Sequence, residues 1–343
     1  MSSVLVRSFA AFYRGAFSVI VSTIALSTLA FAQAQEAIPI RWGSTSALEL
    51  TLPLYVAQSQ GYLTQQGLKL DNPLLAPGVR LREALTVGDL DFAENTTTTL
   101  IVGRQAGLKQ KAIFQYYTKE LFSLFVPNKL KGEIKSVADL KGKKIAVTAL
   151  GTGAHMDALL FIRKAGLKDS DVTFVGLNSA DPATLVTALE SGQFDAEILW
   201  EPTSTLVRDR QIGFPLIDIR DPEVHEKWVG KESASEVLFV TEDMIIKRPN
   251  VVKRAVNALK KAMSYIQTHS ASEVAAATAK FYKMDEAALA RILEPIKGNY
   301  TPDGKFSRSG IQVAIDITKE GGLLKQPLKF EDVVDAQFVG VRD

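Results

Sequence analysis

Polar turns rich in hydroxyl groups recur along the chain directly after short apolar stretches, and their residue types suit the binding of a small ligand. They are Gly43-Ser44-Thr45-Ser46, Glu94-Asn95-Thr96-Thr97-Thr98, Leu150-Gly151-Thr152-Gly153-Ala154-His155 and Trp200-Glu201-Pro202-Thr203. The first three lie directly at the start of a predicted helix, whose first backbone N–H groups have no partner within the helix. These N–H groups and the positive end of the helix dipole favour an anionic oxygen. The turns therefore predict a site for a small ligand with acceptor oxygens.

Helix capping is the alternative interpretation of the same turns. Ser and Thr at a helix start commonly bond the first N–H groups and stabilise the helix by about 1 kcal/mol without any ligand. Nucleotide binding, in contrast, is not indicated. The third glycine of a G-x-G-x-x-G loop is replaced by Met156 after Gly151 and Gly153, and no G-x-x-x-x-G-K-[ST] sequence occurs. We predict no cofactor, and both capping and ligand binding stay open for the turns.

Four further side chains near the turns extend the candidate site. His155 falls in a first helical turn, where the dipole disfavours its protonated form, so we expect a neutral hydrogen-bond partner. Glu201 would repel an anion, but it would suit an amine or ring N–H. Lys119 is the best-placed cation, and Trp200 is expected either to form a wall of the pocket or to join the core. The full predicted ligand-binding set is Ser44, Thr45, Ser46, Asn95, Thr96, Lys119, Thr152, Gly153, Ala154, His155, Trp200 and Glu201.

The composition argues against metal and covalent chemistry. The chain of 343 residues has no cysteine and only three histidines, His155, His225 and His269, which are far apart. Disulfides, thiolate metal sites and a cysteine nucleophile are therefore excluded, and we predict no metal site. No G-x-S-x-G nucleophile turn occurs, so no catalytic residue is assigned and we predict that the protein is not an enzyme.

Residues 1–32 have the layout of a secretory signal peptide. Arg7 and Arg14 precede an apolar run, and small residues flank a predicted cleavage site after Ala32, with a second possible after Ala34. Removing those two arginines from the 40 basic residues leaves 38, which equals the 38 acidic residues. A neutral chain offers no electrostatic footprint for nucleic acid. We expect a periplasmic protein of a Gram-negative cell.

The elements that position the turns alternate between strands and helices. Strands are predicted at 38–42, 68–70 and 91–93, and helices at 50–59, 80–87 and 97–105, which indicates an α/β protein with largely parallel sheets. The segment 84–92 resembles 188–196 at an offset of 104 residues, so we expect two lobes of similar topology.

Two apolar strands, 121–126 and 237–240, are predicted to connect the lobes. The first lobe is then 38–122 plus 241–343, and the second is 127–236. Two chain crossings form a hinge, and a hinged pair of lobes encloses a cleft.

Three segments resemble the solute-binding proteins of ATP-driven (ABC) importers, in the nitrate, sulfonate and taurine branch. They are Pro53–Leu63 (PLYVAQSQGYL), Ser136–Val147 (SVADLKGKKIAV) and Leu199–Pro202 (LWEP). The resemblance implies a two-lobed periplasmic-binding-protein fold of type II, in which each lobe is a mostly parallel sheet flanked by helices. It also implies a monomer that closes on a small solute and delivers it to ABC permease subunits.

The class of solute stays open. The resemblance implies a small organic anion or zwitterion such as a sulfonate, taurine or nitrate, or else a pyrimidine or aromatic acid. Some members of this fold family are thiamine-pyrimidine synthases, which look cysteine-rich. The lack of cysteine and the export signal argue against that enzymatic alternative.

Overall fold

The computed structural model describes residues 36–75 and 78–342. The predicted signal peptide and both predicted cleavage sites lie outside these residues. Among the described helices, none has both the length and the apolar character needed to cross a bilayer.

A first five-stranded sheet has the order β2-β1-β3-β10-β4. β1 pairs in parallel with β2 and β3, whereas β10 runs antiparallel to β3 and β4. Trp42 on β1 lies opposite Phe92 on β3, and their rings stack with centroids 4.9 Å apart. The strands are β1 Ile38–Gly43, β2 Leu68–Asp71, β3 Phe92–Thr96, β4 Gln110–Gln115 and β10 Glu236–Thr241.

A second five-stranded sheet repeats this arrangement in the order β7-β6-β8-β5-β9. β6 pairs in parallel with β7 and β8, and β5 is the antiparallel strand between β8 and β9. The two sheets therefore have the same topology, which confirms the internal repeat inferred from the sequence. The strands are β5 Ser123–Pro127, β6 Lys144–Val147, β7 Thr173–Gly176, β8 Ala196–Leu199 and β9 Gly213–Ile217.

The helices flank both sheets. Those in the first part of the chain are α1 Leu48–Ser59, α2 Tyr62–Gln65, α3 Gly78–Val87, α4 Thr97–Gln105, α5 Gly153–Lys164, α6 Pro182–Ser191, α7 Thr203–Asp209 and α8 Pro222–Trp228. The carboxyl-terminal helices are α9 Glu242–Lys247, α10 Pro249–Thr268, α11 Ala271–Tyr282, α12 Glu286–Leu293, α13 Arg308–Glu320 and α14 Phe330–Val333.

The carboxyl-terminal helices pack mainly on the first sheet's helices. α10 and α11 contact α1, while α13 contacts both α4 and α5 and so touches helices of both sheets. α10 is amphipathic, with Val252, Leu259 and Met263 on its buried face and lysines on the other. The fold is thus two sheets flanked by helices, as predicted. Each sheet was predicted to be mostly parallel and is mixed, because β10 in one and β5 in the other run antiparallel to both neighbours.

The two segments predicted to connect lobes each lie inside a sheet in the structure. β5 pairs on both sides within the second sheet, and β10 pairs on both sides within the first. The backbone passes from one sheet to the other through residues 116–122, and it returns through residues 218–235.

Candidate functional site

A small cavity of about 40 Å³ lies between the two sheets. Parts of its wall come from the carboxyl ends of parallel strands in both sheets, where open α/β sheets place ligands. Thr45 follows β1, Thr96 ends β3, Thr148 follows β6 and Trp200 follows β8. The lining residues are Thr45, Ala47, Leu50, Gly78, Asn95, Thr96, Leu121, Phe122, Thr148, Thr152, Gly153, Ala154, Ala180, Trp200 and Glu236.

Seven of the twelve predicted site residues line this cavity. They come from all four of the turns singled out in the sequence, although these turns are far apart along the chain. The seven are Thr45, Asn95, Thr96, Thr152, Gly153, Ala154 and Trp200. Their contact with a ligand stays a prediction.

Ser44 and Ser46 lie beside the cavity rather than in its wall. The Ser44 hydroxyl is fully buried and accepts a hydrogen bond from Nδ2 of Asn72 at 2.8 Å. The Ser46 hydroxyl donates to the carbonyl oxygen of Ala180, which lies in the second sheet's region. Ser46 therefore joins the two sides of the cavity.

His155 also lies outside the lining residues. Its Nδ1 accepts a hydrogen bond from the backbone N–H of Gly151 at 3.1 Å, and its ring meets Phe174 edge-on. Burial lowers the pKa of His155 to about 4. A pKa this low corresponds to a neutral imidazole at pH 7, and burial is its main cause.

Glu201 is buried beside the cavity and bonds protein groups. Its Oε1 lies 2.8 Å from Nη1 of Arg220 and 3.9 Å from Nη1 of Arg208, and the Thr205 N–H donates to its Oε2. The carboxylate is thus engaged around its own turn. The Glu201–Pro202 peptide bond is cis.

Lys119 is half-buried away from the cavity. Its ammonium group donates to the carbonyl oxygen of Lys231. Within residues 36–75 and 78–342, the cavity wall contains no arginine, lysine or histidine.

The two threonines at the starts of α4 and α5 differ in helix capping. Thr96 caps α4, because its hydroxyl accepts from the Thr99 N–H at 3.2 Å. Thr152 is the N-cap residue of α5, but its side chain makes no capping bond to that helix. Its hydroxyl instead donates to the carbonyl oxygen of Ala149 at 2.7 Å. The first N–H groups of α5 therefore have no side-chain cap where the helix meets the cavity.

Several lining residues were not predicted from the sequence. Phe122 meets Trp200 edge-on, with ring centroids 5.5 Å apart, and Glu236 opens β10 with a fully buried side chain. Burial raises the pKa of Glu236 well above its ordinary value, and neighbouring carboxyl groups raise it further. In the sequence, the one sign that Glu236 belongs to the site is an acidic side chain directly before the apolar run 237–240.

A larger groove of about 800 Å³ lies elsewhere, at the opposite ends of the first sheet's strands. Its charged groups pair with one another. Asp91 bonds Arg248 at 2.7 Å and lies 3.6 Å from Nε of Arg41. Across the described ranges, no group of three or more His, Cys, Asp or Glu residues is placed to hold a metal ion.

Comparison with known proteins places this geometry in a family. A family model described as "NMT1/THI5 like" matches residues 50–272. The chain belongs to this family. A protein of Brucella abortus (strain 2308), whose name proposes a binding function, is 27% identical over 323 residues, covering 92% of this chain and 96% of the relative.

Two solved structures show the same fold. The alkanesulfonate-binding protein SsuA of Xanthomonas axonopodis, bound to MOPS, has a TM-score of 0.71 and 21% identity, covering 88% of this chain and 100% of that one. The periplasmic nitrate-binding protein NrtA of Synechocystis has a TM-score of 0.69 and 14% identity, covering 87% of this chain and 84% of that one. The NMT1/THI5-like chain thus has the periplasmic-binding-protein fold. Its named relatives are binding proteins, as the sequence predicted.

Proposed function

We propose that the protein is an extracytoplasmic solute-binding protein that captures a small organic solute and delivers it to the permease of an ABC importer. The observation that carries this proposal is the cavity between the two sheets, whose wall combines hydroxyl groups, two aromatic rings and the uncapped start of α5. Pockets of this composition bind small molecules, because apolar walls with a few polar groups fix a ligand's orientation.

The mechanism we propose is capture by closure. A volume of about 40 Å³ is close to that of a single water molecule, so a larger solute needs the two sides to separate. We assign the moving parts to 38–122 plus 241–343 and to 127–236, with the two passages between the sheets as the hinge. A solute then shifts the protein towards the closed form only by the contacts it gains there.

The solute class follows from what lines the cavity. A simple anion such as nitrate would find the N–H groups of α5 but no basic side chain among the described lining residues. A zwitterion would place its negative end at α5 and its positive end elsewhere in the wall. A pyrimidine or aromatic acid would use the rings of Phe122 and Trp200. The wall therefore favours an organic solute over an inorganic anion.

We place the mature protein in the periplasm as a monomer. Neighbours such as NrtA are periplasmic, and residues 1–32 have the layout of an export signal. Mass spectrometry of the exported protein should find Gln33 or Gln35 as its first residue. An intact Met1 in the exported protein would contradict this assignment.

A thermal-shift screen tests the proposed function. The purified protein is heated with sulfonates, amino-sulfonates, nitrate, pyrimidines and aromatic acids. A solute present at about 100 times its dissociation constant adds about 2.7 kcal/mol to the free energy of unfolding. One chemical series should raise the melting temperature by several degrees without being consumed. Turnover of the active compound would contradict a binding protein, and no shift with any series would contradict a solute receptor.

A further inference from the structure

The side chain of Glu236 is fully buried in the cavity wall and lacks a partner. Neither of its carboxyl oxygens has a hydrogen-bond partner among the described residues. Its backbone is fixed, because β10 pairs with β3 and places Glu236 opposite Thr96. A rigid strand thus holds a residue that lines the cavity and whose buried carboxyl group has no partner among the described residues.

The groups around Glu236 are also acidic. Burial is the main cause of the raised pKa of Glu236, and the charges of four other buried carboxyl groups raise it further. These groups are Glu120, Glu49, Asp157 and Glu94. Neither carboxyl oxygen of Asp157 has a hydrogen-bond partner among the described residues, and the donors to Glu49 and Glu94 are neutral. Oε1 of Glu49 accepts from the Glu201 N–H, and Oε2 of Glu94 accepts from Nε1 of Trp42 at 3.0 Å.

The nearby arginines do not offset this acidity. Arg220 and Arg208 bond the carboxylates of Glu201 and Asp218 instead. An unpaired carboxylate in a buried site is costly unless it takes up a proton or gains a cation. Burial favours the protonated form of Glu236, and a cation that enters the cavity would displace this proton and pair with the carboxylate that forms. The wall therefore favours a positively charged solute over a negatively charged one.

Aromatic rings complete the match to a nitrogen cation. Trp200 and Phe122 lie in the same wall as Glu236, and their rings meet edge-on. The face of an aromatic ring attracts an ammonium or guanidinium group, more strongly when water is excluded. A carboxylate beside aromatic rings is the chemistry that recognises a protonated nitrogen.

We infer that the solute carries a protonated nitrogen, as an ammonium, an amidinium or a protonated ring, and that Glu236 is the residue that selects it. This inference rests on the proposed solute-binding function and narrows it. A zwitterionic solute satisfies both ends of the site, with its nitrogen at Glu236 and its acidic group at the N–H groups of α5. A nitrogen-free anion would place its charge against the carboxyl of Glu236.

Pairs of probes in which only the first member carries a protonated nitrogen test the inference. Thermal shift and calorimetry compare taurine with isethionate, butylamine with butanesulfonate, and benzamidine with benzoate. The first member of at least one pair should raise the melting temperature and bind, whereas its partner should bind roughly tenfold more weakly or not at all. This comparison is made with the wild-type protein and needs no variant.

Two matched variants then assign the selection to Glu236. Glu236→Gln keeps the side-chain shape and removes the charge, so affinity for the nitrogen-bearing probe should fall by roughly tenfold or more. Glu197→Gln is the control, because Glu197 is also fully buried and lacks partners among the described residues but does not line the cavity. The affinity of Glu197→Gln for the nitrogen-bearing probe should match that of the wild type.

The outcomes separate this inference from the proposed function. Equal or tighter binding of the nitrogen-free partners would overturn the inference and leave a solute receptor in place. Unchanged affinity in Glu236→Gln would overturn the role of Glu236. No response to any probe of either kind would overturn the inference together with the proposed function.

Discussion

The backbone N–H of Glu201 donates a hydrogen bond to Oε1 of Glu49 at 3.2 Å and thereby joins the turn after β8 to helix α1. The N–H of Leu48 donates in the opposite direction, to the carbonyl oxygen of Glu201, also at 3.2 Å. These two bonds connect the region of the first sheet to that of the second beside the cavity. They hold the two sides of the cavity together, as the closed arrangement of the proposed capture mechanism requires.

A methyl group at position 153 should hinder this closed arrangement. A Cβ atom on Gly153 would lie 2.6 Å from Cγ2 of Thr96 and 2.9 Å from Cε2 of Phe122, so the two sides would have to move apart. We expect Gly153→Ala to weaken solute binding by roughly tenfold or more, because overpacking of a close contact costs about 1–3 kcal/mol. Calorimetry with the solute found by thermal shift measures the affinities of the variant and the wild type.

Gly298→Ala is the control for the same substitution in open space. A Cβ atom on Gly298 would meet nothing within 4 Å, so the affinity of Gly298→Ala for the solute should equal that of the wild type. Equal affinity in Gly153→Ala would show that closure at this contact does not contribute to binding.

Removing Arg220 should destabilise the fold. Glu201 is 1% exposed and is paired with Arg220 at 2.8 Å, so the loss of this partner leaves a buried charge poorly compensated. Breaking a buried pair typically costs about 3–5 kcal/mol, and the remaining distant Arg208 should limit the cost for Arg220→Ala to about 3 kcal/mol. Urea unfolding measures this loss in the free energy of unfolding.

Arg291→Ala is the control, because it breaks an exposed pair with Asp209 and should lower the free energy of unfolding by less than about 1 kcal/mol. Similar losses in both variants would contradict the buried role of Glu201.

The free energy of unfolding should fall as the pH rises from 6.5 to 8. The pKa values of Glu49 and Glu94 are raised from 4.5 to about 8, chiefly by burial. Over this window the folded protein keeps protons that the unfolded chain has lost, so stability decreases with pH. His225 acts in the opposite sense, but only below its ordinary pKa of 6.5, because burial lowers its pKa to about 4.

Urea titrations at several pH values check this dependence. Each such carboxyl group contributes a slope of up to about 1.4 kcal/mol per pH unit. Glu94→Gln should therefore flatten the slope relative to the wild type. A free energy of unfolding that stays constant or rises between pH 6.5 and 8 would show that these carboxyl groups are ionised in the folded protein.

The fold was largely predictable because its signals are local. The alternation of apolar strands with amphipathic stretches located β1, β2, α1 and α4 to within about two residues. The similarity of 84–92 to 188–196 anticipated the common topology of the two sheets, since each copy lies between a helix and a short strand.

The site was only partly predictable because part of it depends on contacts distant in the sequence. The strand-end turns identified Asn95, Thr152 and Trp200, which indeed line the cavity. Phe122 ends a passage between the two sheets and Glu236 is the first residue of β10, and no turn motif marks either residue. The pairing of Glu201 with Arg220 depends on how α7 and the segment after β9 pack, which one sequence does not show.

The most direct test of the account is a calorimetric titration of the solute found by thermal shift into wild-type protein and Trp200→Ala. The account predicts one solute per chain in the wild type. It also predicts at least about tenfold weaker binding in Trp200→Ala, because the variant loses an aromatic wall of the cavity. Equal affinity in the two proteins would contradict a binding site in the cavity between the two sheets.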